Sequence, residues 1–213
     1  MRLLRISDYA RNRWKNDGGW TTEIAWAALA DSTNGFLWRV SIAEIEANGP
    51  FSLFPGVERD LLLLAGTGIE LDIDDAPAIR LDRRFQRIHF PGEAAVDCRL
   101  LAGPTHDFNV MTARGRATAE IHARPLIGTM LVFAETNCTW LIHVFAGQAS
   151  ARSSDQVLTA ECGETLILDA PASERERIVL DGSGELVLVK FTTKCEAATQ
   201  ANPSKPAPPI GSA

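Results

Sequence analysis

The sequence predicts an all-β protein with little helix, and three observations carry that expectation. Apolar residues come in short runs, several of them strictly alternating. Gly, Pro and Asp break those runs at short intervals. No segment before the C-terminal tail sustains a helical period, although 12–20 has room for one turn of helix. Short strands parted by turn residues are the pattern of a sandwich or a barrel.

The elements follow in order. Trp38-Arg39-Val40-Ser41-Ile42-Ala43 alternates, so Trp38, Val40 and Ile42 share one strand face while Arg39, Ser41 and Ala43 share the other. The four leucines at 61–64 read as a buried strand ending at Ala65-Gly66. Residues 69–73 alternate strictly, 88–90 form a short strand before Pro91-Gly92, and 95–101 close this set. In the second half, Leu141-Ile142-His143-Val144-Phe145 is expected to end at Ala146-Gly147, echoing Ala65-Gly66. Residues 163–168 form a strand before Pro171, and 186–191 form the last one. The echo points to an internal duplication. The division expected is 1–108 for a first half, 109–193 for a second, and 194–213 for a flexible tail, since Pro203, Pro206, Pro208 and Pro209 stand among small and polar residues.

Composition narrows function. The 213 residues suffice for one large β domain or two small barrels fused into one body. With 21 basic and 27 acidic residues the net charge is −6, and no basic run stands out. A nucleic-acid partner needs a basic footprint, so neither DNA nor RNA is expected, and the same reasoning weakens binding to an anionic membrane. Cys98, Cys138, Cys162 and Cys195 include no C-x-x-C pair and read as separate reduced thiols, with Cys98 and Cys162 as small buried hydrophobes. No apolar core of signal-peptide length follows Met1, and no stretch approaches membrane-spanning length, so a cytoplasmic location is the default expectation.

Most catalytic chemistries lack their residues. A metal-binding β-barrel presents two histidines two positions apart on a strand, whereas His89, His106, His122 and His143 are scattered. His143, on an apolar strand, reads as a hydrogen-bonded core residue. No G-x-S-x-G elbow, Cys-His motif or P-loop appears, so neither metal nor cofactor is expected. Four polar segments remain. In Trp14-Lys15-Asn16-Asp17-Gly18-Gly19-Trp20, the Lys15 ammonium and Asn16 amide suit a carboxylate at a pocket rim, or the segment is simply a glycine turn. Arg39 and Ser41 face either solvent or a polar cavity, where arginine offers a carboxylate its bidentate fork. Pro and Gly at both ends of 49–56 fix a rigid loop. In 105–111, Asp107 and Asn109 share one face and Phe108 and Val110 the other.

The strings W-K-N-x-G-G-x-T-x-E-I, F-x-W-R-V-S-I-A, G-P-F-S-x-F-P-G-x-x-R and D-F-N-V-M, in this order, resemble the HutD/Ves family of bacterial proteins over about residues 3–191. The family usually has a further glycine where Asp17 stands, so here a carboxylate enters that loop. The resemblance implies two fused cupin-type double-stranded β-barrel halves (a bicupin) without a catalytic metal, and a link to histidine utilisation. It carries the pocket to Lys15, Asn16, Glu23, Arg39, Ser41, Ser52, Arg59, Asp107 and Asn109. Arg39 and Arg59 would anchor a carboxylate, and Ser41, Ser52 and Asn109 would add hydrogen bonds. Trp38 or Phe51 would pack on a planar ligand, and Glu23 or Asp107 would orient an arginine. The function expected is non-catalytic binding that senses or buffers a carboxylate metabolite such as urocanate or a formylated or formiminated glutamate. The alternatives are a metal-independent enzyme using Glu23, Asp107 or His106 as acid or base, and a protein-docking scaffold. A homodimer is the default assembly.

Overall fold

The computed structural model describes residues 1–74, 76–171 and 175–194. The chain opens with β1 (Arg2–Leu4) and a 3-10 turn, Ile6–Asp8. Next come β2 (Ala10–Arg13), β3 (Gly19–Ala28), β4 (Phe36–Ile45), β5 (Gly49–Pro50) and β6 (Val57–Ala65). These lead to β7 (Ile69–Ile73), β8 (Ile79–Leu81), β9 (Arg87–Pro91), β10 (Val96–Leu100) and β11 (Thr105–Ala113). The remaining strands are β12 (Ala117–Glu135), β13 (Cys138–Arg152), β14 (Val157–Glu161), β15 (Thr165–Leu168) and β16 (Arg175–Thr193). The all-β expectation holds. The turn of helix expected within 12–20 is instead the β2–β3 hairpin, because Ala10–Arg13 find ladder partners in Trp20–Glu23. Among the described residues no helix is long and apolar enough to cross a membrane.

The strands fall into two compact units, Ala10–Arg114 and a second that joins Met1–Tyr9 to the described residues from Gly115 on. The boundary expected at 108/109 therefore moves. It would cut through β11, which is hydrogen-bonded along its length to β4 on one side and β6 on the other. Residues 1–9, expected in the first half, go with the second because β1 pairs antiparallel with β15, Leu3 opposite Leu166. Most of the expected tail, and Cys195, lie outside the described residues.

In the Ala10–Arg114 unit a six-stranded sheet, β2-β3-β4-β11-β6-β9, accompanies a four-stranded sheet, β5-β10-β7-β8. Ile45, Leu61, Leu63, Ile88 and Phe90 of the first pack with Ile69, Leu71, Leu81, Val96 and Cys98 of the second. Each wholly buried aliphatic side chain contributes on the order of 1.5–3 kcal/mol, so this cluster alone is a substantial driving force. Trp38, Val40, Phe108 and Val110, on the opposite face of the six-stranded sheet, are buried as well.

The second unit is built on one six-stranded sheet, β1-β15-β13-β16-β12 with β14 paired to β13. Its core gathers Ile142, Val144, Leu166, Leu168, Leu186 and Leu188 with Ala149, Ala151, Ala160, Ile178 and Leu180. The strand expected to stop at Ala146-Gly147 runs on to Arg152. A bulge at Phe145 precedes Gly147, since the register of β13 on β16 shifts between Val144 and Ala146. Gly147 sits at φ 73°, Gly184 opposite it at φ 154°, and a Cβ on either would collide with the facing strand's backbone. His143 is a buried core residue whose Nδ1 lies 2.9 Å from the Thr165 hydroxyl. Cys98 is buried as expected, but Cys162 is exposed, because it falls in the turn between β14 and β15.

Candidate functional site

Strand register decides which polar residues meet. Met111 of β11 lies opposite Arg39 of β4 and Arg59 of β6, Asn109 opposite Ser41 and Leu61, and Asp107 opposite Ala43 and Leu63. Glu23 of β3 lies opposite Ser41. Directly opposed residues of antiparallel strands point to the same face. Glu23, Arg39, Ser41, Arg59, Asp107 and Asn109 therefore share the face of Leu61 and Leu63, which is the interior of this unit.

Two linked arrangements result. Arg39 clamps Glu23: its Nε donates to both carboxylate oxygens at 3.0 and 2.9 Å, and its Nη2 donates to Oε2 at 2.7 Å. Arg59 Nη2 donates to Asn109 Oδ1 at 3.1 Å, and Asn109 Nδ2 donates in turn to Asp107 Oδ1 at 2.6 Å. Arg59 Nη1 also donates to the Ser52 carbonyl at 3.3 Å. Phe51, Phe54 and Phe90 surround the Arg59 guanidinium, with centroids 5.4, 5.5 and 5.0 Å away. Aromatic faces stabilise a cation where water has been excluded.

Two atoms are left over. Arg59 Nε and Asp107 Oδ2 are buried and have no hydrogen-bond partner among the described residues. A buried polar atom without a partner is costly and calls for an explanation. Burial pushes the Asp107 carboxyl up to about 7, against the pull of Arg59 and the Asn109 bond. Burial likewise pushes Arg59 down to about 10; Asp107 opposes that and the Arg39 charge reinforces it. Arg59 thus stays cationic at neutral pH. Arg39 and Arg59 each keep 5% of their surface exposed while Asp107 keeps none.

The sequence-derived residues divide. Glu23, Arg39, Ser41, Phe51, Ser52, Arg59, Asp107 and Asn109 come together, with Ser52 contributing its carbonyl through that bond to Arg59. Lys15 and Asn16 do not join them: both are exposed in the β2–β3 hairpin loop, where Asn16 Oδ1 accepts the Gly18 N–H at 3.0 Å and closes the turn. Trp38 is buried on the opposite face of β4. His106 likewise alternates away from Asp107, and its Nε2 lies 3.9 Å from Glu44. Asp17 adopts φ 56°, which explains why glycine suits the position, and its carboxylate lies toward Arg13 and solvent. Sequence reasoning missed Phe54 and Phe90. Phe90 was detectable, because alternation in 88–90 places it on the face of Ile88.

No group of three or more His, Cys, Asp or Glu side chains among the described residues is arranged to hold a metal ion. Solved structures share the architecture: a Bacillus subtilis oxalate decarboxylase mutant aligns with TM-score 0.62 at 8% identity, over 90% of this chain and 76% of that one. That likeness concerns the fold alone. The fold and the interior cluster define the class first: an all-β, cupin-like protein with charged residues inside its N-terminal strands.

The chain belongs to the HutD family, whose profile matches residues 6–188. It is similar to HutD from Pseudomonas fluorescens SBW25 (TM-score 0.75, 30% identity, 91% of this chain and 99% of that one). Protein Ves of Citrobacter koseri is 37% identical over 76% of this chain and 81% of its own length. A 21.2 kDa Pseudomonas putida protein, described by its place in the hutC 3′ region, is 42% identical over 57% of this chain. The match spans 63% of that relative's length.

Proposed function

We propose that this chain is a non-catalytic, metal-free binding protein. It takes a small carboxylate metabolite of histidine or related amino-acid catabolism, such as urocanate or a formylated or formiminated glutamate, into the interior of its Ala10–Arg114 unit. The two units would be the two halves of a bicupin, and the protein would work in the cytoplasm. The carrying observation is Arg59, a buried guanidinium ringed by three phenylalanines and left with an unpartnered Nε. Arg39 lies close enough to influence its charge and borders the same face. A guanidinium with an unpartnered N–H against an apolar wall suits a planar anion, and arginine binds carboxylates bidentately. The place of histidine metabolism rests on the family and on the Pseudomonas putida relative's position beside hutC.

A second reading, a metal-independent enzyme, draws on Asp107, since a carboxyl titrating near neutrality suits general acid–base work. Asp107 is fully covered and its bonded oxygen is taken by Asn109, so it has no direct path to a ligand at the guanidinium groups. The arrangement favours binding.

The test is a thermal-shift titration against histidine, urocanate, formiminoglutamate and formylglutamate, comparing wild type with Arg59→Lys. Saturable stabilisation by at least one carboxylate is expected, about 2.7 kcal/mol at a hundredfold excess over Kd. The variant should lose at least tenfold in affinity, because lysine keeps the charge but not the fork. No shift with any of the four would contradict the proposal.

A further inference from the structure

The charges inside the Ala10–Arg114 unit can be balanced. Among the described residues, the buried charged ones on the interior face are Glu23, Arg39, Arg59 and Asp107; the remaining one described in this unit, Asp60, alternates to the other face beside Arg87 and His89. Glu23 and Arg39 cancel through three hydrogen bonds. What is left is Arg59 against Asp107, connected through the Asn109 amide. With Asp107 ionised the interior is neutral and offers an incoming anion no net attraction. With Asp107 protonated it carries one positive charge, which a single carboxylate matches.

We propose that Asp107 is a positioning residue that couples ligand binding to proton uptake: one ligand carboxylate settles at the guanidinium groups as Asp107 takes one proton from solvent. This deepens the carboxylate-binding reading and rests on it. The neighbourhood supports it from every side. Arg59 of β6, Arg39 of β4 and Glu23 of β3 are the charged groups on this face, and Cys98 of β10 is the remaining titratable one, its thiol pushed up to about 12 by burial and by Asp107. Ile69 and Leu71 of β7 and Ile88 and Phe90 of β9 are apolar. Arg39, the other cation on this face, is held by Glu23, so among the described residues no uncommitted cation keeps Asp107 ionised once a ligand has engaged Arg59. The unpartnered Oδ2 is where the proton resides, since a buried ionised oxygen without a donor is far costlier than a neutral hydroxyl. Burial has already moved this carboxyl to about 7, within reach of a second negative charge.

The experiment is calorimetric titration of the full chain with N-formylglutamate, and with acetate as the minimal carboxylate. Neither probe titrates near neutrality. Each titration is run in phosphate and in Tris, whose ionisation enthalpies differ. Expected is uptake of close to one proton per ligand at about pH 8, fading below neutrality, with affinity falling about tenfold per pH unit above it, as for any ligand that selects a dwindling competent fraction. Asp107→Asn, fixed neutral, should bind with no proton uptake and no such pH dependence. Binding of the wild type with equal heats in both buffers would overturn the proton coupling and leave the carboxylate site standing. Binding of neither probe, even at about pH 6, would overturn both.

Discussion

At the level of single residues, the buried Arg39–Glu23 pair is the most exacting arrangement in the molecule. Both side chains are almost wholly covered, so removing one charge strands the other. Glu23→Gln should destabilise the protein by about 3–5 kcal/mol, and adding Arg39→Met should recover most of that, because an apolar side chain of similar reach needs no partner. Urea unfolding of the two single variants and the double variant measures this, and simple additivity would contradict it. The face holding Arg39 and Ser41 was legible in the sequence by alternation alone. Alternation could not say which face was interior, because Trp38 and Val40 on the other side are buried too. Lys15 and Asn16 misled for a different reason: polar residues beside Gly18-Gly19 mark a hairpin tip as readily as a pocket rim, and only the ladder from Ala10 to Glu23 distinguishes the two.

Among elements, the register of β4, β11 and β6 brings residues of separate motifs into one cluster. Arg39, Arg59 and Asn109 are far apart in sequence and meet because Met111 and Asn109 lie between two ladders. Each motif was visible in the sequence, but their meeting was not, since pairing of distant strands leaves no local trace. The β13–β16 crossing illustrates the same limit. A glycine after an apolar run marks a strand end or a position within a continuing strand equally well, and Gly147 proves to be paired with Gly184 just past a bulge at Phe145. Gly184 lies against the Ala146 carbonyl, so Gly184→Ala must displace backbone and should cost about 2–4 kcal/mol. Gly115→Ala, also at positive φ (77°) but in open space, should cost only about 1 kcal/mol. Thermal melts of the two variants separate steric collision from backbone strain, and equal losses would contradict the collision.

For the whole molecule, two buried groups drive stability in opposite directions as pH changes. Burial pushes His143 down to about 4, so the unfolded chain binds protons more tightly; its contribution is present above the ordinary histidine range and lost as pH falls through about 4. Asp107 is raised to about 7, so its contribution is full below the ordinary carboxylate range and lost as pH rises through about 7. Between about pH 4 and 7 the two oppose each other, and the wild type should change little. Asp107→Asn should expose a steeper loss on acidification, and His143→Gln a gain. Unfolding free energies across that range decide it, and parallel profiles for all three proteins would contradict it. The all-β class was legible from strand length and turn residues. The grouping of Met1–Tyr9 with the C-terminal strands was not, because it depends on β1 meeting β15 at the far end of the chain.

The proposed carboxylate site lies inside the Ala10–Arg114 unit at Arg59. The most direct measurement follows the arginine Nε–H resonances of 15N-labelled protein during titration with urocanate and with N-formylglutamate. The Arg59 resonance, whose Nε–H has no partner among the described residues, should move saturably as a carboxylate engages it, while that of exposed Arg99 stays in place. An Arg59 resonance that holds still at concentrations that stabilise the protein would place the ligand elsewhere and contradict the account.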